Sequence, residues 1–226
     1  MKNTSVVRRY LLFSLVLMLV SNRFIYNGAR LFNRALPHLN MSLPVDGLIP
    51  FLPWTIVIYA GVNAWWLYTC RYVTLQGKQE ADRYFSANLL SKTVSFLFFV
   101  FVPTAIVRPE VTGDTFWGLL VGILYRLDPP DNLFPSIHCV LSWLCWVVVR
   151  GRRDVPLWHR AAAFALAAAV CLSTLTLRQH VLADVVGGIL VSELCYALTG
   201  SGRLSRIYGG WMDKLLRITE TGKEVH

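Results

Sequence analysis

The sequence predicts an all-α, polytopic membrane protein: a helix bundle with about six transmembrane helices. Apolar residues make up 55% of the 226 residues and charged residues only 15%, too few to cover a soluble domain. The mean hydropathy of +0.48 agrees with this class. The apolar residues also form long blocks, and a helix of roughly 20 residues crosses a hydrocarbon core of about 30 Å.

Six apolar blocks follow one another along the chain. Asn22 and Arg23 interrupt the first block, and the basic residues before it resemble the start of a signal peptide. No small-residue cleavage site follows, so we expect a retained helix. The predicted spans cover residues 9–31, 48–72, 85–107, 135–150, 159–178 and 181–199.

Composition divides the chain into three parts. We expect an N-terminal transmembrane helix with an outer loop over residues 1–47, a membrane core over 48–199 and a basic cytoplasmic tail over 200–226. The apolar stretch 116–125 is too short to span a bilayer and is predicted to be interfacial or re-entrant. The five cysteines show no metal-ligand spacing and are expected to be small buried hydrophobes.

The basic residues predict how the chain is oriented. The net charge is +9, but the Lys and Arg residues lie between apolar blocks and form no stripe with aromatics, so we expect no nucleic-acid partner. Four basic sets occupy the N-terminus, the second and fourth connections and the tail. With six helices these sets share one side, which the positive-inside rule makes cytoplasmic. We therefore expect a multi-pass protein of the cell membrane with both termini inside.

This orientation brings several ionisable residues to the outer face. His138 begins the fourth predicted span, His180 and Asp184 begin the sixth, and Arg108 ends the third. All four lie at one depth and on one side of the membrane. Ionisable groups in membrane spans are costly and usually functional, so this shared position predicts an active site.

The sequence His-x-x-x-Asp places His180 and Asp184 on one face of a helix. A carboxylate there holds one imidazole nitrogen as N–H and leaves the other free as a nucleophile. The alternative is an interfacial pair that only anchors the end of the helix. His138 follows Pro135 and Ser136, and the N–H groups of that first turn would bind an anion beside its imidazole.

At these residues the chain resembles the type 2 phosphatidic acid phosphatase superfamily. Three stretches carry the resemblance, "FVPTAIVRP", "PSIH" and "STLTLRQHVLAD", and it spans roughly residues 48–199. The resemblance implies a six-helix membrane fold, with His180 as the phosphate-accepting nucleophile and Asp184 as its orienter. It further implies that His138 is the acid for the leaving group and that Arg108 binds the phosphate.

The chain departs from the family motifs at three positions. Phe101 stands where the family has lysine, Thr174 where it has arginine, and Ile137 where it has glycine. We expect Arg178 to replace the lost arginine. Lys92, expected near the cytoplasmic end of its helix, cannot replace the lysine. This reduced cation set resembles the sphingolipid-synthase and inositol-phosphorylceramide-synthase-like branch.

The predicted function is a lipid phosphoesterase or phosphotransferase of the outer membrane face, acting through a phosphohistidine. Its partners would be the bilayer, a phospholipid or other lipid phosphate and, for headgroup transfer, an acceptor alcohol, and no cofactor or metal is expected. The sequence leaves hydrolysis and headgroup transfer open. Two further alternatives are a non-enzymatic lipid-binding or transport protein and a metal-dependent enzyme with His138, His180 and Asp184 as ligands.

Overall fold

The computed structural model describes residues 4–221, with side chains to residue 217, and most of these residues lie in α-helices. The described residues contain no β-strand, and two short 3-10 turns, Pro44–Leu48 and Pro53–Thr55, precede the second helix. The eight helices are α1 (Thr4–Asn33), α2 (Ile56–Gln76), α3 (Lys78–Phe101), α4 (Phe116–Leu127), α5 (Ile137–Arg150), α6 (Leu157–Thr176), α7 (Leu182–Thr199) and α8 (Arg203–Thr221).

The predicted all-α membrane bundle is confirmed, but the number of six spans is not. Helices α1, α3, α6 and α7 are long and apolar enough to cross a membrane. Helix α5 has only 14 residues, which at a rise of 1.5 Å per residue extend for about 21 Å. Helix α2 has 21 residues but does not meet the same standard of length and composition. At least four of the described helices can therefore span a membrane, which makes the chain a multi-pass protein.

Two predicted spans differ from the helices because glycine and proline set the true boundaries. The predicted span 48–72 starts early, since the prolines at 50 and 53 leave residues 49–55 outside the helix. Gly77 adopts a φ of +134° between α2 and α3, so the third helix begins at Lys78 rather than at residue 85. It ends at Phe101, just before Pro103.

These boundaries move Lys92 to the middle of α3, so its predicted position near the cytoplasmic end is wrong. Its side chain is only 2% exposed. The ammonium Nζ donates to the carbonyl oxygen of Met18 at 2.7 Å and to Ser21 Oγ at 3.3 Å. Lys92 therefore joins α1 to α3 inside the bundle.

The centre of the bundle brings α5 against α6 and α7, while α3 packs against α1, α7 and α8. Glycine permits the close approach of α5 and α7. A Cβ atom at Gly188 would lie 2.8 Å from the carbonyl oxygen of Ser136 and 2.9 Å from Cys139 Cβ. A Cβ atom at Gly187 would overlap the ring of Phe134. Small residues at both positions therefore let the two helices pack closely.

Two amphipathic helices flank the bundle. The predicted interfacial or re-entrant stretch forms α4, and Thr115 Oγ1 caps it by accepting from the amide of Gly118 at 3.0 Å. In α8, Tyr208 and Met212 are buried against the bundle, whereas Trp211 is exposed. Residues 222–226 of the predicted basic tail lie outside the described part of the chain.

Candidate active site

His180 lies in the short turn that joins α6 to α7. The main-chain amides of Gln179 and His180 both donate to the carbonyl oxygen of Thr174, at 3.0 and 3.2 Å. Arg178 adopts the left-handed conformation with a φ of +53°, which folds the turn back on the end of α6. As a result, the imidazole of His180 is only 7% exposed.

Asp184 fixes the imidazole of His180. Its Oδ2 atom lies 3.2 Å from His180 Nδ1 and accepts the main-chain amide of Val181 at 3.1 Å. The carboxylate thus caps α7 and orients the histidine with one oxygen, which leaves His180 Nε2 as the free ring nitrogen. Burial by itself would lower the pKa of His180, but the hydrogen bond to Asp184 and its negative charge outweigh it and raise this pKa.

His138 occupies the first turn of α5, where its half-buried ring lies between two aromatic side chains. The ring of Tyr59 stacks on it with centroids 4.1 Å apart, and the Trp66 centroid is 5.5 Å away. Tyr59 Oη lies 3.3 Å from His138 Nδ1 and 3.2 Å from Asp128 Oδ2. These contacts hold His138 Nδ1 and leave its Nε2 for a substrate.

The structure brings the two histidines together, as the sequence predicted. Their ring centroids are 6.5 Å apart. The main-chain amide of Ser136 donates to the carbonyl oxygen of Asp184 at 3.1 Å, which ties the start of α5 to the first turn of α7. His138, His180 and Asp184 therefore belong to one site, although their catalytic roles stay predictions.

Arg108 reaches the same site from the segment after α3. Its Nη1 atom donates to the carbonyl oxygen of Asp128 at 2.5 Å, and its Nη2 atom donates to Gln179 Oε1. Two buried donors here, Arg108 Nε and Gln179 Nε2, have no acceptor among the described residues. Buried donors are normally satisfied, so an anion that accepts from them would complete the arrangement.

Two predicted phosphate ligands have other partners in the structure. Arg178 donates to the carbonyl oxygens of Asp46 and Ile49, both at 2.5 Å, and so fastens the turn Pro44–Leu48 beside His180. Ser136 is fully buried, and its Oγ accepts the amide of Cys139 at 3.4 Å as the cap of α5. A phosphate-binding role for either residue stays a prediction.

The departures from the family motifs place no cation at the site. Phe101 is 76% exposed at the end of α3, whereas Thr174 is fully buried and donates through Oγ1 to the carbonyl oxygen of Cys171 at 2.7 Å. Arg30, a further cation nearby, is already paired with Asp131 at 2.8 Å. Arg108 bonds Gln179, the residue before His180, and Arg178 lines the same cavity as His180.

Each histidine lines a different cavity. One, of about 300 Å³, is lined by His138, Tyr59 and Asp128 and is called the His138 cavity below. The other, of about 340 Å³, is lined by His180, Arg178 and Asp46. Both histidines therefore border space that a ligand could occupy.

Sequence reasoning missed Tyr59, Gln179 and Asp46. Tyr59 reaches His138 from α2, 79 positions earlier in the chain, and no local pattern signals that contact. Asp46 accepts the amide of Leu182 at 2.8 Å from the loop between α1 and α2. Gln179 had one signal, its position directly before His180. Among the described residues, no group of three or more His, Cys, Asp or Glu side chains is arranged to hold a metal ion.

Comparison with known proteins gives one match. Residues 128–198 match the sequence model of the PAP2 superfamily, a stretch that contains His138, His180 and Asp184 and stops short of Arg108. The match covers less than half of the chain, and the sphingolipid-synthase-like branch stays a prediction. No curated protein and no solved structure matches the chain significantly.

Proposed function

We propose that the chain is a membrane-embedded lipid phosphoesterase or phosphotransferase that works through a phosphohistidine on His180. One observation carries the proposal: the buried pair of His180 and Asp184 faces a second imidazole, His138, at 6.5 Å. An imidazole held at Nδ1 by a carboxylate is an activated nucleophile at Nε2. The match of this stretch to the PAP2 superfamily supports the same class of reaction.

The reaction has two steps that use the histidines in turn. In the first, His180 Nε2 forms a bond to phosphorus, the bond from phosphorus to the lipid oxygen breaks, and His138 gives its proton to that oxygen. In the second, water or an alcohol loses its proton to His138 and attacks phosphorus. The bond to His180 then breaks, which restores both histidines.

Arg108 and Gln179 would hold the phosphate oxygens during both steps. Arg108 and Gln179 each keep a buried donor without a partner among the described residues, and Gln179 directly precedes His180. A hydrogen bond from the charged Arg108 to phosphate is about twice as strong as a neutral one. The negative charge that develops at phosphorus is thereby stabilised where it forms. We further propose that the site faces the outer side of the membrane, as the distribution of basic residues indicates.

The second nucleophile distinguishes hydrolysis from transfer. With water the enzyme is a phosphatase for a monoester or a phospholipase C-like hydrolase for a diester, and with a lipid or polyol hydroxyl it is a headgroup transferase. We propose transfer or hydrolysis of a phosphodiester, because Phe101 and Thr174 leave the site with fewer cations than the full family motif would supply. A phosphodiester carries one negative charge at its phosphate, whereas a monoester dianion carries two, so the diester needs fewer cations.

The test is to incubate the purified full-length protein with a mixture of labelled phospholipids, with and without an added alcohol acceptor, and to identify the products. An acid-labile phosphoenzyme should form and map to His180. His180→Ala should abolish both turnover and the phosphoenzyme, whereas His38→Ala, at a partly exposed histidine in the loop between α1 and α2, should leave both unchanged. Full activity in His180→Ala would rule out the phosphohistidine. Lipid binding without any turnover would favour the non-enzymatic alternative.

A further inference from the structure

A third cavity, of about 190 Å³, lies between α1, α2 and α3 and is called the lateral cavity here. It is lined near the middle of these helices by Asn22, Asn88 and Lys92, together with apolar and aromatic side chains. Polar groups at such a depth in a membrane protein are costly and usually serve binding or transport. No Asp or Glu is among the described residues that line it.

The unpartnered polar atoms in the lateral cavity are hydrogen-bond acceptors, so a ligand there should supply a donor. Lys92 already donates to Met18 and Ser21, so its ammonium is satisfied by the protein. In contrast, the side-chain oxygens of Asn22 and Asn88 are buried and have no partner among the residues that the structure describes. Asn88 is only 4% exposed. A ligand that brings an O–H or N–H group would satisfy these oxygens.

The lateral cavity is a neighbour of the candidate site. Asn22, Asn63 and Trp66 line both the lateral cavity and the His138 cavity, so these side chains form a wall that the two cavities share. At its outer rim, Leu19 is 68% and Leu67 is 54% exposed. The cavity therefore opens on the surface of the bundle between α1 and α2, where a membrane protein meets lipid.

We propose that the lateral cavity binds an uncharged lipid that carries a hydroxyl or amide N–H group. This lipid is the alcohol that leaves phosphorus beside His138 in the first step, or the alcohol that attacks phosphorus there in the second. The proposal rests on the proposed function. In the first step the oxygen that receives the His138 proton belongs to this lipid. The unpartnered oxygens of Asn22 and Asn88 then accept from its donor groups, and its chain leaves between α1 and α2.

Photolabelling at equilibrium tests the proposal without turnover. The probe is a diacylglycerol with a diazirine in one acyl chain, offered to the full-length protein in phosphatidylcholine nanodiscs. Label should map to the lining segments of α1, α2 and α3 in the wild type and equally in His180→Ala. The O-methyl ether of the same probe lacks the donor and should label these segments about fivefold less, the effect of losing one hydrogen bond. Equal labelling by the ether would overturn the proposal.

Substitutions sharpen the same experiment. Asn88→Leu should lower the labelling by diacylglycerol about fivefold, and Asn22→Leu should act likewise. Leu67→Trp blocks the rim from an exposed position, so it should lower labelling without changing the buried groups. Thr93→Val, on α3 but outside the lateral cavity, is the matched control and should label like the wild type. Undiminished labelling in both Asn88→Leu and Leu67→Trp would refute the binding site. Absence of a phosphoenzyme with donor-dependent labelling intact would instead refute the proposed function alone.

Discussion

The amide of Ser136 and the carbonyl oxygen of Asp184 are joined by a hydrogen bond of 3.1 Å between the starts of two different helices. His138 lies two residues after the donor, and the side chain of Asp184 holds His180. One main-chain contact therefore sets the distance between the acid and the nucleophile that we propose. Since main-chain groups make it, its strength depends on how closely α5 and α7 approach.

Gly188→Ala is expected to disturb this contact. The added Cβ would lie 2.8 Å from the Ser136 carbonyl oxygen, so α5 must shift, at a cost of about 1–3 kcal/mol. We expect turnover to fall by at least about tenfold and the unfolding temperature to drop. Gly61→Ala in α2 is the control, because nothing lies within 4 Å of its added Cβ. Wild-type turnover in Gly188→Ala would show that the separation of the histidines tolerates such a shift.

The pH dependence of kcat/KM should report the neutral form of His180. Because Asp184 raises the pKa of His180, the nucleophile is protonated and inactive at low pH, and kcat/KM should fall as the pH drops through a value above about 6.5. In Asp184→Asn the partner charge is lost while burial remains, so this limb should move to lower pH. The maximal rate should also fall about 10²- to 10⁴-fold with substrate binding retained. If the fall of kcat/KM at low pH is unchanged in Asp184→Asn, the group that titrates there is not His180.

His138→Ala should slow substrates according to their leaving groups. Lipid alkoxides need a proton to depart, so their cleavage should fall about 10²- to 10⁴-fold, whereas a nitrophenyl ester should be affected much less. Tyr59→Phe keeps the ring stack and removes Oη, so a smaller loss of the same kind is expected. Equal losses for both substrate types would argue that His138 is no general acid.

Substrate charge provides a separate comparison. Each charge-assisted contact to phosphate contributes on the order of 1.5–3 kcal/mol, and Phe101 and Thr174 make none. We therefore expect diester lipids to be preferred over phosphatidic acid. Arg178→Ala should weaken activity, because it loses a cation and also the turn that the side chain fastens. Preference for phosphatidic acid with full activity in Arg178→Ala would mean that other residues bind the phosphate.

The orientation can be measured with single cysteines introduced on a background whose five native cysteines are buried. Asp114→Cys precedes α4 and Arg153→Cys lies between α5 and α6. With both termini inside, an impermeant thiol reagent should label the first variant in intact cells and the second only after lysis. The reverse pattern would place the site on the cytoplasmic side.

Much of the candidate site could be predicted because its chemistry lies in local patterns. His180 and Asp184 are separated by one helical turn, and His138 follows a proline at a helix start, so their positions in the helices are visible in the sequence. Tyr59 and Gln179 could not be predicted in these roles, since their contacts arise only when α2 and Arg108 pack against the histidines. Lys92 was misplaced because hydropathy does not locate helix ends that Gly77 and Pro103 set.

The hydrogen bonds that Arg178 makes to Asp46 and Ile49 have a consequence for how this protein could diversify. The histidines and the aspartate that we propose to react come from one contiguous stretch, residues 128–198. Part of the wall beside His180 comes from the loop between α1 and α2, and part of the wall beside His138 comes from α1 and α2 themselves. If the proposed function holds, changes in the N-terminal third of the chain would alter which lipids are admitted while the proposed catalytic groups remain as they are.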